Sequence, residues 1–342
     1  MNSADIGLKS ALLSQPLAYF PVHAGPFEFR TGLRRLEPDL AMPDTRQQVF
    51  QFDCQWPEYR RTKLQSRREQ FDKYVCRQEL APGHASNATA WLIKKLVSEH
   101  PRLFSLQVSR HHQSLQCVLT NETLVFDERM ELTDAISGGS IHEYRDALDA
   151  LCCQFQEDLA ITLAGNGDDR IAYMHLCLPN YWAPQDKIGQ NFIGAHRPVP
   201  GMQKITTRAV PLVDMLAQDG PFERFAWGLT TDTRLNHHPD APPAMDPVQW
   251  QGRKFDPVHP ELYLRIERQV TAAIPDSKAF LFTIRTYLRD IRSLDRNECR
   301  RLLQALTTMP EDVLTYKGLY NSYEMIISWL AQVLNTLSGH HG

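Results

Sequence analysis

The chain has 342 residues, 42% of them apolar and 23% charged, an ordinary balance for a globular protein with a sizeable core in one large domain or two. Its formal net charge of −3 argues against a broad electrostatic affinity for nucleic acid, and no apolar run approaches the roughly 20 residues that span a bilayer. The N-terminus carries no long apolar segment with a cleavage site. The seven cysteines are odd in number with no C-x-x-C pair, so a cytoplasmic protein without a disulfide framework or a cysteine-held zinc or iron–sulfur cluster is expected.

In chain order, residues 1–45 are rich in Pro and Gly and predict an extended arm, residues 46–294 the main body, and residues 295–342 a helical region packed on it. Apolar spacing predicts helices over Glu58–Val75, Asn87–His100 and Ile141–Leu163, the last on a stripe of Tyr144, Leu148, Leu151, Phe155, Leu159 and Leu163. Residues 114–127 read as two strands around an Asn121–Glu122 turn. Further strands are expected at Ile171–Leu178, Phe225–Thr230, Leu262–Ala272 and Ala279–Tyr287, and helices return after Asp295. Without regular strand–helix alternation, an α+β fold with a largely antiparallel sheet is expected. No dinucleotide or triphosphate loop motif is present.

Three groups of residues bear on chemistry. His196 lies in LPNYWAPQDKIGQNFIGAHRPVPGM (178–202), where Pro198 and Pro200 stiffen the backbone beside it. A lone imidazole is more often structural than a ligand, but one held this way can be aimed at a metal or heme iron. Arg265, Arg268 and Arg285 stand in otherwise apolar strands; alternation puts Arg265 and Glu267 on one face, Ile266 and Arg268 on the other. They form either an internal Arg–Glu network or a clamp for ligand carboxylates. Arg224 and Trp227 either line a pocket or are an edge Arg and a core Trp. No serine sits in a nucleophile elbow, and neither Glu157–Asp158 nor Asp168–Asp169 compels acid–base catalysis.

With FQEDLAI (155–161), RFAWGL (224–229) and LYLRIERQVTAAIPDSKAFLFTIRTYL (262–288) beside the His196 segment, the chain resembles the heme-dependent oxidative N-demethylase α-subunit family, the oxygenase component of a dimethylamine monooxygenase. The resemblance runs from Phe20 to the helices near residue 300. It implies a PAS-like sheet surrounded by helices and holding heme b, and conversion of dimethylamine to methylamine and formaldehyde with O2 and electrons from NADPH. Separate flavin/iron–sulfur reductase and folate-binding subunits are implied as partners. Carried over by position, His196 becomes the axial ligand. Arg224 polarises bound oxygen or contacts a propionate, with Trp227 beside it in the catalytic pocket. Arg265, Arg268 and Arg285, joined by Tyr287 or Lys187, anchor the propionates. One departure stands out: where the family has Arg-x-Asn-Trp, this chain has Ala226, which removes a donor and an acceptor near the substrate. The competing expectation is a heme-binding PAS-like sensor or carrier without turnover.

Overall fold

Strand alternation organises the fold. In the computed structural model, which describes residues 12–30, 32–36, 45–137, 143–165, 167–202 and 207–337, the strands are β1 (Arg34–Arg35), β2 (Val75–Arg77), β3 (Phe104–Val108), β4 (His112–Cys117), β5 (Glu122–Asp127), β6 (Leu132–Ser137), β7 (Asp158–Leu163), β8 (Arg170–His175), β9 (Phe222–Thr230), β10 (Tyr263–Ile274) and β11 (Ala279–Asp290). Seven of them form an antiparallel sheet in the order β1-β9-β10-β11-β7-β8-β2, and β3 to β6 form a meander beside it. The helices are α1 (Trp56–Tyr74), α2 (Pro82–Glu99), α3 (Ala147–Cys152), α4 (Phe192–His196), α5 (Ala209–Gln218), α6 (Pro247–Gln251), α7 (Arg296–Thr307), α8 (Glu311–Tyr316) and α9 (Tyr323–Thr336). The chain is therefore α+β with an antiparallel central sheet.

The two faces of that sheet have different fates. On one, Val270, Ile274 and Leu281 pack against Leu92 and Leu96 of α2 and against Leu115 and Leu124 of the meander. Farther along the same face, Leu264, Ile266 and Tyr287 pack against Leu302 and Leu306 of α7 and Leu330 of α9. Burying one such aliphatic side chain is worth about 1.5–3 kcal/mol, so this closed face supplies much of the stability. The opposite face is capped at one end, where Phe222 and Phe280 meet Val213 and Leu216 of α5. Beyond that cap Ala226, Gly228, Glu267 and Gln269 are only half-buried.

The helix predicted over Ile141–Leu163 is not what forms. Residues 147–152 are helical, with Asp146 accepting a capping bond from Asp149 N, and Asp158–Leu163 is strand β7. Lying between β11 and β8, β7 is buried at every position, so its apolar residues do not alternate and their spacing imitates a helical stripe. The 114–127 hairpin is present as β4 and β5, turning through Asn121 at φ 58°. Much of the predicted arm (residues 1–11, 31 and 37–44) lies outside the described residues; its Arg34–Arg35 pairs with β9. Among the described residues no helix is long and apolar enough to cross a membrane.

Candidate functional site

The segment carrying His196 is tied down at both ends. At its start, the buried Asp158 carboxylate accepts bonds from Cys177 N and Leu178 N at 2.9 and 2.8 Å, and burial pushes its pKa up to about 6. Arg265 adds a second anchor, its guanidinium donating to Leu178 O and Leu235 O at 3.0 Å each. Farther on, Gly189 bonds to Ile171 O at φ +75°, where an added Cβ would lie 2.3 Å from Gln78 Oε1. Asn191 then caps α4 by accepting from Gly194 N at 2.8 Å, and Asp169 accepts from Phe192 N at 2.6 Å. Lys187 Nζ donates to Ala195 O, closing the C-terminal end of the same short helix.

These anchors fix the tautomer of His196. Its Nδ1 lies 2.8 Å from Phe192 O, and a carbonyl can only accept, so Nδ1 carries the proton and Nε2 keeps a free lone pair. Burial lowers the pKa to about 4, and the positive charges of Arg224 and Lys187 add to that shift. The imidazole is neutral at any ordinary pH, the state a metal ligand requires.

His196 lies near enough to Arg224 of β9 for its pKa to feel that charge. Residues paired directly across antiparallel strands share a face, and the register pairs Arg224 with Gln269, Ala226 with Glu267, and Gly228 with Arg265. A Cβ built on Gly228 would meet no heavy atom within 4 Å, so the floor has unfilled space there. Arg224 Nε is buried without a hydrogen-bond partner, and burial lowers the Arg224 pKa. Glu267 accepts from Asn180 Nδ2 and Gln269 Nε2, each at 3.0 Å. At the end of α8, Lys317 Nζ donates to Trp227 O and lies 5.1 Å from the centroid of the Trp227 ring; burial pushes it down to about 8, against the pull of Glu267, while Tyr316 feels both Glu267 and Arg224. Arg253 lies 3.2 Å over the Tyr181 ring with its own Nε buried and unpartnered.

The remaining predicted site residues are elsewhere. Ile266 pairs with both Trp227 and Tyr287, and Arg268 with Arg285, so these side chains point to the closed face. Arg268 Nε donates to Glu223 at 2.6 Å and Arg285 to Asp53 at 2.7 Å; Tyr287 donates to Gln51 Oε1, and Trp227 meets Phe27 edge-on. Arg268, Arg285, Tyr287 and Trp227 thus lie on the face of the sheet opposite to Arg224. Arg265 is on the open side; its terminal nitrogens bind backbone carbonyls of the loop, His237 Nδ1 and Thr286 Oγ1, while its Nε is buried without a partner.

Asn180, Tyr181, Arg253, Tyr316 and Lys317 were not singled out from sequence, although Asn180 and Tyr181 lie inside the LPNYW motif. A second cluster, Asp149, Cys153 and His175, has donor atoms within 4.8 Å of one another. The Asp149 carboxylate there is already taken by Arg67, at 2.6 and 2.5 Å.

The residues of the open face suit heme. His196 offers a neutral imidazole with an unprotonated Nε2, Gly228 leaves unfilled space on the open face, and Arg224 and Arg253 each have a buried Nε without a hydrogen-bond partner. A family model described as haem-dependent oxidative N-demethylase, alpha subunit-like, matches residues 41–327, a span that includes every residue of this site. The chain belongs to the haem-dependent oxidative N-demethylase alpha subunit-like family.

Proposed function

We propose that His196 Nε2 is the axial ligand of heme b bound between α4 and the open face of the sheet. On this reading the protein is the oxygenase component that removes an N-methyl group, as formaldehyde, from a small secondary amine such as dimethylamine. The observation that carries the reading is the free lone pair of a neutral, backbone-fixed imidazole near Arg224, on a sheet face with unfilled space at Gly228. Bound heme would supply the redox chemistry that uses dioxygen. Electrons would come from an NADPH-linked flavin/iron–sulfur reductase, and a folate-binding subunit would accept the one-carbon unit, partners consistent with an alpha subunit. The sheet with its helix-borne ligand is read as the PAS-like element.

Each residue has a job that follows from its position. Lys187 and Asp169 hold α4, and through it the ring of His196. Arg224, Arg253 and Lys317 are the cations for the heme carboxylates. Arg224, whose buried Nε lacks a partner, is also placed to donate to negative charge developing over the floor.

The test is turnover: heme-loaded protein, dimethylamine, oxygen and a chemical or enzymatic reductant, with formaldehyde measured. Stoichiometric formaldehyde is expected. A stable oxygenated protein indifferent to any methylamine would instead favour a sensor or carrier.

A further inference from the structure

The floor contains one acid without an ion-pair partner. Several buried acids of this protein are ion-paired, Glu223 with Arg268, Asp53 with Arg285 and Glu122 with Arg60, while Glu157 and Asp158 are held by backbone N–H groups instead. Among the described residues Glu267 has no such partner within salt-bridge distance. It instead takes one neutral amide donor on each oxygen, Asn180 Nδ2 on Oε1 and Gln269 Nε2 on Oε2, both at 3.0 Å. Those two bonds fix the plane of the carboxylate and leave lone pairs over, since a carboxylate accepts at about four positions. Glu267 is half-buried, opposite Ala226 in the β9–β10 register and next to the unfilled space at Gly228. The nearby cations Arg224 and Lys317 feel its charge without bonding to it.

We infer that Glu267 is the specificity-determining residue that receives the substrate as a small alkylammonium cation, its carboxylate accepting an N–H of the ammonium. The inference rests on the proposed N-demethylase function. Simple alkylamines, like the lysine side chain with its ordinary pKa of about 10.4, are protonated near neutral pH. A cation entering a partly buried site needs a fixed anion to replace its water. Arg224 and the other nearby cations would hold the carboxylates of bound heme, which would leave Glu267 as the anion of the floor. Without heme, Arg224 and Lys317 would oppose a second cation. Ammonium binding should therefore depend on heme, and the small residues Ala226 and Gly228 give room for two methyl groups beside the carboxylate.

The test compares dimethylammonium chloride with dimethyl ether, a neutral probe of the same size, by saturation-transfer NMR and by perturbation of the heme absorption band of the full, heme-loaded chain. The wild-type protein is expected to prefer the ammonium, and the heme-free protein to bind it at least about tenfold more weakly, the scale of one charge-assisted hydrogen bond. Glu267→Gln should lose about tenfold or more for dimethylammonium, bind dimethyl ether unchanged and keep its heme. Glu267→Asp, which keeps the charge, should retain the preference. Equal affinity of wild-type protein for the two probes overturns the inference, as does unchanged ammonium affinity in E267Q. If E267Q loses heme, E267D decides: equal losses for both probes overturn it. Ammonium binding at Glu267 with no formaldehyde produced would sink the enzymatic reading and leave this one standing.

Discussion

The charge of Arg224 on β9 helps keep His196, at the end of α4, neutral. Arg224 also has a buried Nε without a hydrogen-bond partner, and His196 an unprotonated Nε2. The heme proposed above would engage both.

The depressed pKa of His196 gives a pH prediction with a definite sign. Its folded pKa is about 4, below the ordinary histidine value, so Nε2 stays available for iron from neutrality down to about pH 5 and is lost as pH falls through 4. In heme-free protein the unfolded chain takes up this proton first, near pH 6.5, so His196 lowers stability as pH drops from there toward 4, with no further change below. The absorption band should persist to about pH 5, and His196→Phe should flatten the acid limb of the heme-free protein's urea midpoints.

Gly228 separates site from scaffold. Gly228→Val fills open space rather than striking a neighbour, and valine suits a strand better than glycine by roughly 0.5–1 kcal/mol. The variant should melt at the same or a higher temperature yet take up little heme. Normal heme content would mean that the guest does not lie on this floor.

Arg285 should behave in the opposite way. Arg285→Met strands the Asp53 carboxylate in the core, a change that costs about 3–5 kcal/mol when one member of a buried pair is removed. Urea unfolding should report that loss while surviving protein keeps an unaltered heme spectrum. Arg224→Met should show the reverse, near-normal stability with a perturbed spectrum.

Ala226 is directly opposite Glu267, on the floor. Ala226→Asn, the residue that the resemblance implies here, adds a donor and an acceptor and removes room. Relative kcat/KM should shift toward the smallest amines with heme content unchanged.

Much of this was legible in the sequence. Parity within LYLRIERQV already separates Arg265 and Glu267 from Ile266 and Arg268, and the same count applied to Arg224 and Trp227 would have put them on opposite faces. The core role of Arg268 and Arg285 was open because their partners, Glu223 and Asp53, are 45 and 232 residues away and nothing local marks them. Lys317 reaches β9 only through the packing of α8, a tertiary contact with no local signature. The His196 segment was readable because its chemistry is local: its cap, its glycine turn and its imidazole–carbonyl bond all lie within a few residues of one another.

The most direct test of the central claim is the absorption spectrum of protein produced with heme supply, for wild type, His196→Ala and His237→Ala. His237 is also buried and neutral, but both its nitrogens are engaged, Nε2 with Asp232 at 2.8 Å and Nδ1 with Arg265 at 3.4 Å. An intense heme band is predicted in wild type and in His237→Ala and its loss in His196→Ala. A normal band in His196→Ala would contradict the account and move the ligand elsewhere.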